Sequence, residues 1–295
     1  MAGFFGLFNY TKEGPGVSKE EAQKKGLELY FDILIRRFWK FMALNTLYIL
    51  SSVISLAVLW FISSMSITWL FSIMGVDMAA ITSEESGAMF MFAVCAVIVI
   101  AGVLGTGAPT AAASYVMRNY VNDSHSWVVS DYFEHLKKNF LQGTIVFIVD
   151  VIVLCLFLVS MVFYSVEVSG IFPLILRSIL LVAFVIFVMM HMYIYQIMAK
   201  FKMKLSEIYR SSLILVLIKL PWNILAFIVS GLITYIVGYV FNANFVIAIA
   251  VSVLMYFSLN LFTQIFMTNN IVKKYILEPS LEYEKKQEEN TPEDK

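Results

Sequence analysis

Four ionisable residues sit inside long apolar stretches of this 295-residue chain: Asp150, Arg177, His191 and Lys219. A charge at membrane depth is costly and by default marks an ion path, a proton relay or a structural pair. Asp150 and His191 lie seven to nine residues from the basic ends of their apolar runs, and Lys219 stands just before Pro221. One polar group made of Asp150, His191 and Lys219 is therefore expected, with Asp150 paired to Lys219. Its two readings are a site for protons or a small substrate, and a structural role, either as an ion pair or with Lys219 reaching for the headgroups. Arg177, nearer the opposite end, is expected to reach the interface or Glu167.

A second candidate is the run Gly105-Thr106-Gly107-Ala108-Pro109-Thr110-Ala111-Ala112-Ala113. Small residues four apart, including Ala101/Gly105 and Gly107/Ala111, let helix backbones approach closely, and proline breaks or kinks a helix. Gly102, Gly105, Gly107 and Pro109 are thus expected at a kink or a tight helix contact. A phosphate cradle is the weaker reading, because no Gly-Lys-Ser/Thr follows. Between these two regions lie Asp123, His125, Asp131, Glu134 and His135. They lack the regular spacing of a zinc site and read as a solvated polar loop. No metal, cofactor or catalytic constellation is expected, and with three histidines no Ser/His/Asp set stands out.

The elements that must position these groups are membrane helices. Hydrophobic residues make up 60% of the chain and charged residues 14%, where a soluble domain carries about a quarter. No charge occurs from Phe41 to Val76 or from Ser86 to Met117. From Leu220 to Val272 there is again none, a run of about 80 Å as one helix at ~1.5 Å per residue and far too long for one span. Asn242-Ala243-Asn244 divides it, since asparagine favours turns. The pattern predicts an all-α bundle of about six transmembrane spans, near 41–63, 88–108, 143–164, 171–198, 217–240 and 245–267. A polar segment over 1–26 precedes it, and a polar tail over 276–295 follows. No signal peptide is expected.

Orientation follows from lysine and arginine. Seven precede residue 41; more fall in the connections 109–140 and 199–212 and in the tail, while the connections around 65–87, 165–170 and 241–244 hold none. The basic side is expected to be cytoplasmic, with both termini on it. Formal net charge is zero, which gives no reason to expect a nucleic-acid partner. Within the basic connection, Trp127 and Tyr132 beside Arg118, Lys137 and Lys138 form a candidate partner surface, because aromatic and arginine side chains dominate interaction hot spots.

Several short motifs add a resemblance. They are Gly3-Phe4-Phe5-Gly6-Leu7-Phe8, Phe38-Trp39-Lys40, Leu44-Asn45-Thr46-Leu47-Tyr48, Gly107-Ala108-Pro109-Thr110-Ala111-Ala112, Tyr115-Val116-Met117-Arg118-Asn119 and Asp131-Tyr132-Phe133 with Lys137-Lys138-Asn139. In order and spacing, over about the first 140 residues, the chain resembles the YesL (DUF624) family of bacterial membrane proteins. The resemblance implies a multi-pass protein of the bacterial cell membrane, with no established activity. It further implies an accessory role beside ABC-type sugar importers, whose membrane subunits would be the partners along with the lipid bilayer. The alternative function is a small transporter or channel built on Asp150, His191 and Lys219.

Overall fold

The computed structural model describes residues 24–73, 75, 83–166 and 170–281. The aromatic opening around Phe4 and the tail beyond Leu281 lie outside them. Two units are distinguished, Met1–Arg36 and Arg37–Lys295. In the first, α1 (Gly26–Arg36) is braced by Asp32, which meets Lys24 at 2.5 Å and Arg36 at 3.6 Å.

The second unit contains α2 (Phe38–Ile73), α3 (Ser83–Val103), α4 (Ala108–Val121), α5 (Val128–Lys138), α6 (Phe140–Val166), α7 (Ile171–Lys200), α8 (Leu205–Ile218), α9 (Leu220–Ala243), α10 (Phe245–Val251) and α11 (Phe257–Val272). No strand occurs among the described residues. Among the described residues, five stretches are long and apolar enough to cross a membrane: Phe38–Ile73, Phe140–Ser165, Ile171–Lys200, Leu220–Phe241 and Phe245–Leu281. A sixth arises if Gly87–Val103 and Ala108–Val121, bent by 52°, count as one broken span. The chain is thus an all-α, multi-pass membrane bundle, as its hydropathy predicts.

Three boundaries differ from expectation. The first span extends through Ile73 as a 36-residue helix of about 54 Å, because no glycine or proline interrupts it and no charge follows Lys40. The last runs to Leu281, so residues 276–281 are helix rather than tail. The connection after Arg118 is not a loop: Asp131 accepts from Ser126 Oγ at 2.7 Å and Trp127 N at 3.0 Å, starting the additional helix α5. At the expected break, Asn244 does act as a cap, its side chain accepting from Ile247 N at 3.1 Å to begin α10.

The basic end of the bundle, where the lysine-bearing connections lie, is the packed end. Along α7, Val188 to Ala199 are all buried, whereas Ile171, Phe172, Leu174, Ile179 and Val182 are exposed. Helix α4, almost wholly buried from Ala108 to Arg118, is its centre. The opposite half presents its leucines, isoleucines and phenylalanines outward, as lipid-facing helices must.

Candidate functional site

The break between α3 and α4 organises the interior. Gly105 and Gly107 both take positive φ, +89° and +83°, which side chains disfavour. A Cβ on Gly107 would come within 2.6 Å of the Gly143 carbonyl oxygen in α6, and one on Gly143 would strike the backbone of Ala108. One on Gly102 would strike the Tyr256 ring. Pro109, expected to break or kink the helix, stands just past the break, in the first turn of α4, where a missing N–H costs nothing. The carbonyls and hydroxyls of the break are met from α2: Ser52 bonds Thr106 Oγ1 at 2.7 Å and Ser55 donates to the Thr106 carbonyl at 3.2 Å. Tyr48 bonds Thr110 Oγ1 at 3.3 Å, and Thr110 Oγ1 in turn accepts from Thr106 N at 2.8 Å.

Beneath this break lies the ionisable pair, and its membership corrects the expectation. Asp150 Oδ1 stands 2.8 Å from His191 Nε2, both residues being 3% exposed, and Tyr195 OH donates to Asp150 Oδ2 at 3.4 Å. Lys219 takes no part. It sits at the junction of α8 and α9, with its ammonium 5.9 Å from the centre of the Tyr275 ring. The reason is local: the junction is splinted by Asn223, whose Nδ2 donates to the carbonyls of Leu215 and Val216, each at 3.0 Å. That fixes Lys219 at the break. Arg177 donates to Ser165 Oγ at 3.2 Å, and Glu167 is outside the described residues.

The protonation of the pair follows from its partners. His191 Nδ1 is 2.9 Å from the Phe187 carbonyl, which only accepts, so Nδ1 carries a hydrogen. The bond to Asp150 then needs one further proton, on Nε2 or on the carboxyl. Either way the pair is neutral overall and fully bonded. The cavities touching it hold about 20 Å³ beside His191 and essentially none beside Asp150.

A larger cavity of about 710 Å³ opens between α3, α6, α7, α9 and α11. Phe92, Val99, Leu154 and Phe184 line it; its polar wall is Ser230, Thr234 and Gln264, and none of Asp150, His191 and Lys219 belongs to it. Gln264 Nε2 donates to Ser230 Oγ at 3.0 Å, and Asn260 links Ser230 to the Gly102 carbonyl, at 2.5 and 3.1 Å. This uncharged network contains no ionisable residue, so the charge pattern of the sequence does not mark it. A count of Asn, Gln, Ser and Thr in the apolar runs would have found it.

The candidate partner surface divides. Trp127 is 70% exposed, Phe133 and Phe140 are exposed, and Lys137 and Lys138 project outward, Lys138 pairing with Glu134 at 2.5 Å. Tyr132 is fully buried, its hydroxyl 2.5 Å from Ser51 Oγ of α2, and burial pushes that phenol above its usual range. Arg118 is also inside, 8% exposed. Both were expected outside. On α4 and α5 the helical period turns Arg118 and Tyr132 inward while Trp127, Phe133 and Lys137 face out. The polar residues once grouped here also separate: Arg37 binds Asp123 at 2.9 Å, and His135 stacks on Tyr115 with ring centres 3.5 Å apart. Among the described residues no three metal-ligating side chains converge.

No curated protein and no solved structure matches the chain. Residues 41–161, the segment that runs from α2 through the broken span and α5 into α6, match the family described as "Protein of unknown function, DUF624".

Proposed function

We propose that the protein is a non-enzymatic accessory or regulatory membrane protein that works through the exposed face of α5. On this reading its basic end and both termini are cytoplasmic, and it resides in a bacterial cell membrane. Its partner is the membrane subunit of an ABC-type carbohydrate importer, as the resemblance to the YesL (DUF624) family implies. The observation that carries the reading is the row Trp127, Phe133, Lys137 and Lys138. These exposed rings and cations lie on α5 and its N-cap, outside the spans, while the intramembrane Asp150–His191 pair is committed to internal bonds. Large flat side chains bury much area at modest entropic cost, which suits them to docking.

The transporter alternative draws support from the 710 Å³ cavity. Apart from its wall of Ser230, Thr234 and Gln264 that cavity is apolar, and neither Asp150 nor His191 lines it.

The test is co-purification from the native host in mild detergent. Trp127→Ala with Phe133→Ala should leave membrane insertion and melting temperature unchanged while an importer subunit is lost. Tyr132→Ala, by contrast, should lower the melting temperature. Wild-type protein that never retains an importer subunit would remove the proposal.

A further inference from the structure

Arg118 is 8% exposed, and its Nη1 is buried with no hydrogen-bond partner among the described residues. No carboxylate reaches it among the described residues: Asp123 is bound by Arg37, Asp131 caps α5, and Glu134 is paired with Lys138. An arginine so placed keeps its charge, because the guanidinium does not deprotonate in proteins. A buried, uncompensated cation strongly destabilises a fold unless a counter-charge joins it.

The surroundings add to the deficit. Arg118 lines a recess of about 10 Å³ with Lys200 at the end of α7 and Lys273 at the end of α11, together with Asn122 and Asn269. Lys273 opens a π-helical turn, Lys273–Leu277, of the kind that recurs at functional sites. Asn269 is 2% exposed; its Nδ2 donates to Asn122 Oδ1 at 2.8 Å, but its own Oδ1 is buried without a partner. The recess therefore lacks two things at once: an anionic oxygen for Arg118 and a hydrogen for Asn269. Its volume admits about one oxygen atom. The remainder of the ligand would lie at the mouth, between exposed Lys200 and half-buried Lys273.

We infer that Arg118, Lys200 and Lys273 form a binding site for a phosphate group that also carries a hydroxyl. A singly protonated phosphate and the phosphoglycerol head of a membrane lipid both meet this description. Oxygen-rich anions suit the planar donor fork of arginine, and basic recesses between membrane helices favour phosphate heads. The site is distinct from the α5 face and does not depend on it.

Thermal melting of the full chain in an uncharged detergent tests this, with three additions: inorganic phosphate, phosphatidylglycerol, or phosphatidylcholine. Ligand that binds only the folded state raises the melting temperature in proportion to the logarithm of its concentration. A rise with phosphate assigns the site to a soluble phosphate. A rise with phosphatidylglycerol alone assigns it to a lipid head. In either case Arg118→Met should abolish the rise yet melt no lower than wild type without ligand, since it removes an unpaired buried charge. Lys200→Gln with Lys273→Gln should weaken the response without abolishing it. The inference is overturned if neither compound acts, if chloride at equal ionic strength or phosphatidylcholine acts as strongly, or if Arg118→Met responds like wild type.

Discussion

Asn45 of α2 and Ser258 of α11 are joined across the bundle by a hydrogen bond from Ser258 N to Asn45 Oδ1, 2.9 Å long. The same asparagine donates from Nδ2 to the carbonyls of Ser252 and Val253, at 3.0 and 2.6 Å. The two carbonyls open the π-helical turn Ser252–Tyr256 between α10 and α11, and the Ser258 amide lies just past it; here the ordinary ladder of i to i−4 bonds is interrupted. One fully buried side chain thus supplies what the backbone has lost.

Asn45→Leu, similar in bulk, should therefore destabilise the protein by about 2 kcal/mol, counting roughly 0.6 for each interhelical bond within a membrane. Chemical or thermal unfolding in detergent measures it. Thr46→Ala on the exposed side of the same helix serves as the control and should be near neutral. An Asn45→Leu variant as stable as wild type would mean that the π turn satisfies itself.

The contact of Gly107 with Gly143 predicts a larger loss. A methyl group on Gly143 would meet the Ala108 backbone rather than a movable side chain, so α4 or α6 must shift to admit it. Gly143→Ala should cost more than about 2 kcal/mol, as overpacking of a tight interface does. Gly231→Ala, whose new methyl meets open space, should be neutral or stabilising. Parallel melting curves of the two variants check the contrast.

The spans were legible because long uncharged runs have few alternatives, and the broken span showed itself through Gly105, Gly107 and Pro109. Gly143 was not legible: a lone glycine in Gln142-Gly143-Thr144 carries no signal until its partner helix is known. The partner of Asp150 was misread for a related reason. Sequence distance from the basic end gave a common depth for Asp150, His191 and Lys219, but not the rotation of each helix. Rotation decides which side chains meet, and it brought His191 inward while the helix break at Lys219, splinted by Asn223, set Lys219 apart.

The orientation proposed here predicts a labelling pattern. After Cys95 and Cys155 are replaced by alanine, single cysteines at Glu84, Glu167 or Ala243 should react with an impermeant thiol reagent in intact cells. Cysteines at His125 or Ser206 should react only after lysis. Labelling of His125→Cys from outside would invert the molecule, against its distribution of lysine and arginine.

His135 supplies a pH dependence outside the spans. Burial, followed by the nearby Lys138 and Arg118 charges, holds its imidazole below the ordinary value of 6.5, although Glu134 and Asp131 act the other way. A depressed folded value means the unfolded chain binds the proton more readily. The contribution to stability is present above 6.5 and is lost as pH falls through the lower folded value. Melting temperature should fall from about pH 7 to about pH 5, and less so in His135→Phe, which keeps the stacking on Tyr115. An equal fall in both proteins would place the titration elsewhere.

The neutral pair of Asp150 and His191 makes the most discriminating prediction. Because Phe187 fixes a hydrogen on Nδ1, the imidazole can accept at Nε2 whenever its partner donates. Asp150→Asn offers an amide hydrogen there and keeps the pair uncharged, so it should cost less than about 1 kcal/mol. Asp150→Ala removes the partner of a buried ring, and His191→Ala strands a buried carboxylate; each should cost about 3 kcal/mol. The double alanine variant should lose less than the sum, with a coupling of at least about 1 kcal/mol in a double-mutant cycle. Additive losses would mean that the two groups do not interact. If Asp150→Asn proves as damaging as Asp150→Ala, the pair is an ionised Asp/His bridge that an amide cannot replace. If Asp150→Asn folds normally but abolishes a measured proton-coupled uptake, the transporter reading would displace the accessory one.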